Sequence, residues 1–303
     1  MRRFLTYQRE RFPLLANGLL IVIFTFSAVS YSRVCRGEEG FIPVGIFVLG
    51  AVTAIFFFLL LRIFDEFKDF EEDSTWRPYR PVPRGLVTLG ELRNLGIVLG
   101  VVLLILNGLL IPHLLPAFAL VIGYMVLMGR EFFVRDWLKR HPVAHMLSHM
   151  VIMPTIDFYT TGLDWLRLGA DPPSGLEWFL LVTFLNGMVI EVGRKIRTPE
   201  QEEMGVETYS SLWGSRRAAW IWIGIVAGTC ATAILAALHA GYGMTGTVVL
   251  LGMFLLAMIP PALFLIRPDP KRSRLIETTA GLWTIGMYLT LGGVPMVGRL
   301  FGA

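Results

Sequence analysis

The stretch FIPVGIFVLGAVTAIFFFLLLRI, residues 41–63, decides the fold class, because it is long and apolar enough to cross a bilayer. It is followed at once by the charged segment FDEFKDFEEDSTWRPYRPVPRG, residues 64–85, which carries six carboxylates. Acidic residues at the end of a spanning helix form either a solvated helix end or a site that holds a cation. Both interpretations begin from a membrane protein.

Eight further stretches share this length and composition, in agreement with a mean hydropathy of +0.62 over the chain. We therefore predict an all-α integral membrane protein with nine transmembrane helices, forming a single membrane domain over residues 1–303. The apolar stretch nearest the N-terminus, Leu14–Val34, is too long for the apolar part of a signal peptide and has no clear cleavage site, so it is kept as a transmembrane helix. The predicted spans are Leu14–Val34, Phe41–Ile63, Leu92–Ile111, Leu114–Phe133, Val143–Leu163, Leu176–Ile196, Ala218–Leu238, Thr245–Ile266 and Ile276–Val297.

The distribution of Lys and Arg predicts the orientation of the chain. If nine helices alternate, 23 of the 27 basic residues lie on the side of the N-terminus and 4 on the other side. Cytoplasmic loops carry such an excess, so we predict a cytoplasmic N-terminus and a multi-pass protein of a bacterial or archaeal cell membrane. The net charge of +4 then reflects topology, and no nucleic-acid partner is expected.

The acidic residues after the second span follow a helical spacing. Asp65, Asp69 and Asp73 are four positions apart, so they share one face if the helix continues, and Glu66 lies beside them. Like charges at this spacing repel one another, and the arginines of the following turn come after the row and do not alternate with it. We therefore predict that the row is open to Mg²⁺, which carboxylate oxygens suit. A solvated helix end is the alternative.

The turn after the acids makes the pattern specific. Residues 76–85, WRPYRPVPRG, cannot continue the helix and return guanidinium groups toward the acids. Together, the acids and the turn resemble the first motif of the UbiA superfamily of intramembrane prenyltransferases, NDxxDxxxD followed by RPxPSG. On that pattern Glu66, Asp69 and Asp73 match the acids, Asp65 replaces the usual Asn, and Arg84 replaces the usual Ser.

This resemblance implies nine helices in a bundle around a central cavity, with cytoplasmic loops 64–91, 130–142 and 191–217 forming a cap over the active site. It implies an enzyme with Mg²⁺ as cofactor that moves a prenyl group from a prenyl diphosphate to an aromatic or lipid acceptor within the membrane. Asp69 and Asp73 are the expected catalytic residues. The expected metal ligands are Asp65, Glu66, Asp69, Asp73, Glu200 and Glu202. The expected substrate-binding residues are Arg77, Arg80, Lys139, Arg140, Arg194, Lys195, Asn17 and His149.

The second acidic loop matches the superfamily less closely. The segment GVETYSSLWG, residues 205–214, follows the end of the second family motif, but the positions expected to be aspartates hold other residue types. Either Glu200 and Glu202 hold a second Mg²⁺, or this loop binds the diphosphate through the basic residues of GRKIR, residues 193–197.

Two histidines in the fifth span require a separate interpretation. His145 and His149 lie one helical turn apart, and the sequence shows no HExxH pattern and no matching carboxylate nearby. Helix packing is the favoured explanation, with His149 lining the acceptor pocket as the alternative. Asn17 in the first span is treated in the same way. We expect Arg130 and Glu131 to pair with each other.

Three other functions stay open. A terpene cyclase of the same superfamily would capture the allylic cation within the same molecule, and the altered second motif is compatible with that. A transporter would place charges near the bilayer midplane, whereas here they lie at one face. A non-catalytic membrane protein is the remaining alternative if the second metal site has been lost.

Overall fold

The computed structural model describes residues 2–302, and every regular element in that range is helical. The α-helices are α1 Arg2–Arg11, α2 Leu14–Cys35, α3 Val44–Lys68, α4 Phe70–Trp76, α5 Leu89–Leu110, α6 Leu115–Gly129, α7 Arg135–Arg140, α8 Pro142–Met150, α9 Ile152–Gly162, α10 Leu176–Gly193, α11 Tyr209–Trp213, α12 Ser215–His239, α13 Gly243–Ile266, α14 Pro270–Tyr288 and α15 Val294–Phe301. Within residues 2–302, eight helical segments are long and apolar enough to cross a membrane. They are α2, α3, α5, α6 with its preceding turn, α10, α12, α13, and α14 joined to α15.

The predicted fifth span, Val143–Leu163, is not one continuous helix. It is divided into α8 and α9, which meet at Val151, and neither part has the length of about 20 residues that a single span needs. Pro154 explains the division, because it has no N–H to donate to the carbonyl of Met150, where α8 ends. A count of nine spans therefore stays a prediction.

The chain divides into two compact units, and α3 is central to the first, which comprises residues 2–26 and 42–171. In this unit, the ring of Phe57 packs against Phe118 and Tyr159. The Tyr159 hydroxyl donates to the Asn107 amide oxygen at 2.6 Å, and the Asn107 amide nitrogen donates to Thr53 Oγ1 at 3.2 Å. These hydrogen bonds between helices satisfy buried polar groups and fix α3, whose end carries the acidic motif.

Small residues permit close helix contacts in the second unit, residues 27–41 and 172–302. A Cβ atom on Gly193, the last residue of α10, would lie 2.9 Å from Ala280 Cβ and 3.0 Å from Trp222 Nε1. Trp222 donates from Nε1 to the Val189 carbonyl at 2.9 Å. Glycine therefore lets α10 approach α12 and α14 closely, which fixes the start of the second acidic loop.

Candidate active site

The acidic segment after α3 is interrupted, in contrast to the predicted continuous helix. α3 ends at Lys68, and Asp69 has φ −93° and ψ 2° before α4 begins. Glu66 and Asp73 are buried, with 2% and 1% of their surface exposed, whereas Asp65 and Asp69 are half-buried. Asp69 N still donates to the Asp65 carbonyl at 2.9 Å and Asp73 N to the Asp69 carbonyl at 2.8 Å, so the helical register continues across this break. Seven positions are nearly two helical turns, which explains why Glu66 and Asp73 share the buried side.

Three arginines surround these two buried carboxylates. Arg80 donates to Asp73 Oδ2 at 2.5 Å, and Arg77 Nη1 lies 3.1 Å from Asp73 Oδ1. Arg11 from α1 donates to Glu66, and its Nη2 lies 4.0 Å from Asp73 Oδ2. Buried charges are tolerated when they are paired, so the three guanidinium groups offset both acids, while Asp73 Oδ1 and Arg11 Nη2 have no hydrogen-bond partner.

The prediction that the turn arginines leave the whole row of acids open is therefore wrong at Asp73. Backbone hydrogen bonds from Arg80 N to the Arg77 carbonyl and from Arg84 N to the Arg80 carbonyl, both 3.0 Å, fold the turn tightly. This folding returns Arg77 and Arg80 to Asp73, while Arg84 forms an ion pair with Glu10 at 2.8 Å.

Among the four expected ligands of the first acidic segment, Asp69 is the one whose side chain has no ion pair in the described chain. Within residues 2–302 we find no ion pair to Asp69, whereas Asp65 contacts Arg62 at 3.1 Å. The oxygens of Glu66, Asp69 and Asp73 have the donor chemistry of a Mg²⁺ site, but in the described chain these three are not gathered within 4.8 Å of one another. The residue types fit Mg²⁺, and in this structure arginines donate to Glu66 Oε1 and Asp73 Oδ2.

The second acidic loop belongs to the second unit, and its glutamates do not form a metal cluster among the described residues. Glu200 is exposed. Both carboxylate oxygens of Glu202 accept from the Thr208 hydroxyl, at 2.7 and 2.8 Å. Thr208 is the N-cap of α11, so Glu202 supports the start of that helix.

The basic residues expected to bind diphosphate in this loop are paired with an acid. Arg194 and Lys195 both contact Glu191 at the end of α10, and Lys195 Nζ lies 2.8 Å from Glu191 Oε1. A diphosphate would therefore have to compete with Glu191 for these two groups.

The other expected substrate residues of the first unit have separate surroundings. In the first unit, Lys139 Nζ lies 3.0 Å from Glu72 Oε1. Arg140 is exposed and donates from Nε to the Asp136 carbonyl at 3.1 Å. Asn17 is half-buried in α2.

The structure brings together three residues that the sequence does not connect. Glu131 Oε2 lies 3.6 Å from His145 Nε2 and 3.5 Å from His149 Nε2. The sequence shows no matching carboxylate near these histidines, but the fold brings Glu131 to them. The expected pairing of Arg130 with Glu131 is wrong, because Glu131 contacts Lys68 at 3.3 Å. Burial would raise the pKa of Glu131, but His145, Lys68 and His149 together lower it to about 2.

A rare backbone conformation accompanies this cluster. Glu131, Phe132 and Phe133 have φ of 48°, 51° and 61°, in the left-handed region. Each such residue costs roughly 1–3 kcal/mol, so surrounding contacts must hold the turn in place. Phe132 provides two of these contacts, with ring centroids 5.6 Å from Tyr124 and 5.9 Å from His149. Because no glycine marks the turn, the sequence gives no local signal for it.

Comparison with known proteins identifies the family. The model of the UbiA prenyltransferase family matches residues 20–286. A structure described as digeranylgeranylglyceryl phosphate synthase in membranes has a TM-score of 0.67 at 14% identity and covers 99% of both chains. The apo structure of a UbiA homolog from Aeropyrum pernix K1 has a TM-score of 0.66 at 16% identity, over 89% of this chain and 97% of that one. No curated protein sequence matches significantly.

The two structures establish a shared fold, because identities of 14% and 16% are too low to carry more. The family match spans most of the chain and confirms the resemblance first seen in the acidic segment and its turn. The apolar helices agree with the membrane setting of that family. The chain is therefore a multi-pass membrane protein that belongs to the UbiA prenyltransferase family.

Proposed function

We propose that the protein moves a prenyl group from a prenyl diphosphate to a hydrophobic acceptor within the membrane. Membership of the family supports the reaction class. The observation that carries the proposed location is the pair of buried carboxylates, Glu66 and Asp73, which Arg11 links at the end of an apolar helix. Ionised groups in such a position are costly and are retained mainly where they have a function.

In this proposal Glu66, Asp69 and Asp73 hold Mg²⁺ through their carboxylate oxygens. When bound, the ion supplies positive charge that neutralises the diphosphate leaving group. Asp69 would offer a carboxylate without an ion pair in the described chain, whereas Glu66 and Asp73 each already accept from an arginine.

Arg77 and Arg80 are proposed to pass from Asp73 to the diphosphate. Guanidinium groups form paired hydrogen bonds with phosphate oxygens as readily as with carboxylates. The cations that balance Asp73 in the structure would therefore contact the leaving group once substrate and metal are present. This exchange keeps the local charge nearly balanced in both states.

For the second acidic loop we retain both alternatives. Glu200 and Glu202 would supply oxygens to a second Mg²⁺, or Arg194, Lys195 and Arg197 would donate to the diphosphate. The contacts of Arg194 and Lys195 with Glu191 keep those cations in place without substrate.

The transfer breaks the C1–O bond of the prenyl diphosphate, and both bonding electrons leave with the diphosphate. The acceptor, an aromatic ring or a lipid hydroxyl, forms the new bond to C1 and releases a proton. Apolar helices around the prenyl chain would keep water from the allylic cation, which explains why such a reaction belongs inside a membrane protein.

Replacing Asp69 by Asn is expected to lower Mg²⁺-dependent diphosphate release by at least about a hundredfold, with little loss of stability. The change removes the charge of an acid without an ion pair in the described chain and keeps its shape, and charge stabilisation of this kind is worth about 10²–10³ in rate. The measurement is diphosphate release by purified protein, with mass spectrometry of lipid products after incubation with prenyl diphosphates of several lengths.

Glu71→Gln is the matched control, because Glu71 is exposed in α4 and two positions from Asp69. It should release diphosphate at the wild-type rate. Wild-type release by Asp69→Asn would contradict the assigned site. A cyclic hydrocarbon formed without any acceptor would identify a terpene cyclase in place of a transferase.

A further inference from the structure

We propose that Glu131, His145 and His149 bind one divalent transition-metal ion, with Zn²⁺ as the best fit. The three side chains lie in the first unit, and none of them is among the residues proposed to hold Mg²⁺. The proposed ligand atoms are Glu131 Oε2 and the Nε2 atoms of both histidines.

The distances between the three side chains fit metal coordination better than hydrogen bonding. The separations of 3.6 and 3.5 Å from Glu131 Oε2 to His145 and His149 are too long for good hydrogen bonds. Around a tetrahedral Zn²⁺ with bonds of about 2.0–2.1 Å, neighbouring ligand atoms lie about 3.3–3.4 Å apart. All three ligand atoms lie within 4.8 Å of one another, so small side-chain adjustments complete the geometry.

Two of the ligand atoms are buried without a hydrogen-bond partner. These are Glu131 Oε2 and His149 Nε2, and each side chain is 9% exposed. His149 Nδ1 lies 2.8 Å from the His145 carbonyl, which can only accept, so Nδ1 carries the proton and Nε2 of the neutral ring presents a lone pair. Two lone pairs that face each other repel unless a cation lies between them.

The contacts behind the ligand atoms resemble the outer shell of known metal sites. Metal-binding histidines usually donate their second N–H to a carbonyl or carboxylate, as His149 does here. Lys68 contacts Glu131 Oε1 at 3.3 Å and leaves Oε2 for the ion. The His145 and His149 rings stack at 3.9 Å with 22° between their planes, which brings both Nε2 atoms toward the same carboxylate.

The donor set selects the class of metal. Two imidazoles and one carboxylate are typical of Zn²⁺ sites that keep a fourth position open and also of non-haem Fe²⁺ sites, whereas Mg²⁺ prefers oxygen ligands. Glu131 lines a cavity of about 190 Å³ together with Lys68, Arg130 and Arg135. The His145 side chain is 36% exposed. The exposed His145 side chain gives a hydrated ion a route to the site from solvent, and the cationic lining of the cavity suits water or an anion in the fourth position.

Metal titration of the full-length protein in detergent tests the proposal. The protein is freed of any affinity tag, stripped with a chelator, and titrated with Zn²⁺ and Co²⁺ in excess Mg²⁺. We expect one equivalent of Zn²⁺ by mass spectrometric metal analysis, and visible Co²⁺ absorption bands of a four- or five-coordinate site. His145→Gln and Glu131→Gln should each weaken binding by at least about a hundredfold, since even outer-shell changes cost 10–100-fold.

His141→Gln is the matched control. His141 lies one turn before His145, is exposed, and contacts the Trp137 carbonyl through Nδ1 at 2.8 Å. Its variant should bind Zn²⁺ like the wild type. Asp69→Asn should also bind Zn²⁺ like the wild type, because Asp69 is not one of the proposed Zn²⁺ ligands. The zinc site and the proposed prenyl transfer can therefore fail independently of each other. Absence of Zn²⁺ and Co²⁺ binding by the wild type, or unchanged affinity in both His145→Gln and Glu131→Gln, would overturn the proposal.

Discussion

Replacing Asp73 by Ala is expected to lower the free energy of unfolding by about 3–5 kcal/mol, because it removes one partner from a buried charge cluster. Asp73 is 1% exposed and accepts from Arg80, while Arg77 and Arg11 also contact it. In its absence three guanidinium groups would remain, and within residues 2–302 Glu66 is the buried acid that contacts one of them. Thermal unfolding of the purified protein in detergent measures the change.

Two further variants separate this explanation from general damage to α4. Glu71→Ala changes an exposed acid of the same helix and should alter the free energy of unfolding by less than about 0.5 kcal/mol. Adding Arg80→Gln to Asp73→Ala removes one excess cation, so the double variant should be more stable than the sum of the single changes predicts. Similar melting of Asp73→Ala and Glu71→Ala would show that the cluster is not a stabilising element.

The same contacts determine which acid gives a clear test of activity. A loss of diphosphate release in an Asp73 variant would combine lost metal binding with lost stability. Asp69 has no ion pair in the described chain, so its substitution reports on the proposed chemistry more directly. The sequence alone treats the two aspartates as equivalent, because both match the acidic pattern at helical spacing.

The membrane class could be predicted from hydropathy, because an apolar run of about 20 residues has few other stable settings. Helix ends were less predictable. The predicted span Phe41–Ile63 corresponds to α3, Val44–Lys68, which continues into the acidic segment. The division of Val143–Leu163 has a local cause in Pro154, but the apolar composition on both sides of the proline masked it.

The acidic segment and its Pro-rich turn could be recognised from the sequence, while the partners of the individual acids could not. The acids and their Pro-rich turn have a recognisable spacing within a short segment. Arg11, in contrast, reaches Glu66 across 55 positions, and only tertiary packing decides that contact. Glu131 meets His149 through a left-handed turn without glycine, which residue preferences argue against.

Replacing Gly292 by Ala is expected to lower the free energy of unfolding by about 3 kcal/mol or more, which is large for one methyl group. A Cβ atom at this position would lie 1.9 Å from the Ser27 carbonyl oxygen and 2.9 Å from the Tyr31 amide nitrogen. Both are backbone atoms of α2 within the second unit, so no side-chain rotation can relieve the contact. Gly292 lies in a π-helical segment, Leu289–Gly293, which has to move away from α2 to admit the methyl group.

Gly281→Ala is the matched control, because Gly281 lies in α14 and a Cβ atom there would meet no heavy atom within 4 Å. Alanine favours helix more than glycine does, so this variant should melt at or slightly above the wild-type temperature. A large fall for Gly292→Ala alone would therefore report helix contact and not helix propensity. Equal melting temperatures would show that α2 and the π-helical segment separate easily, which would contradict a tightly packed second unit.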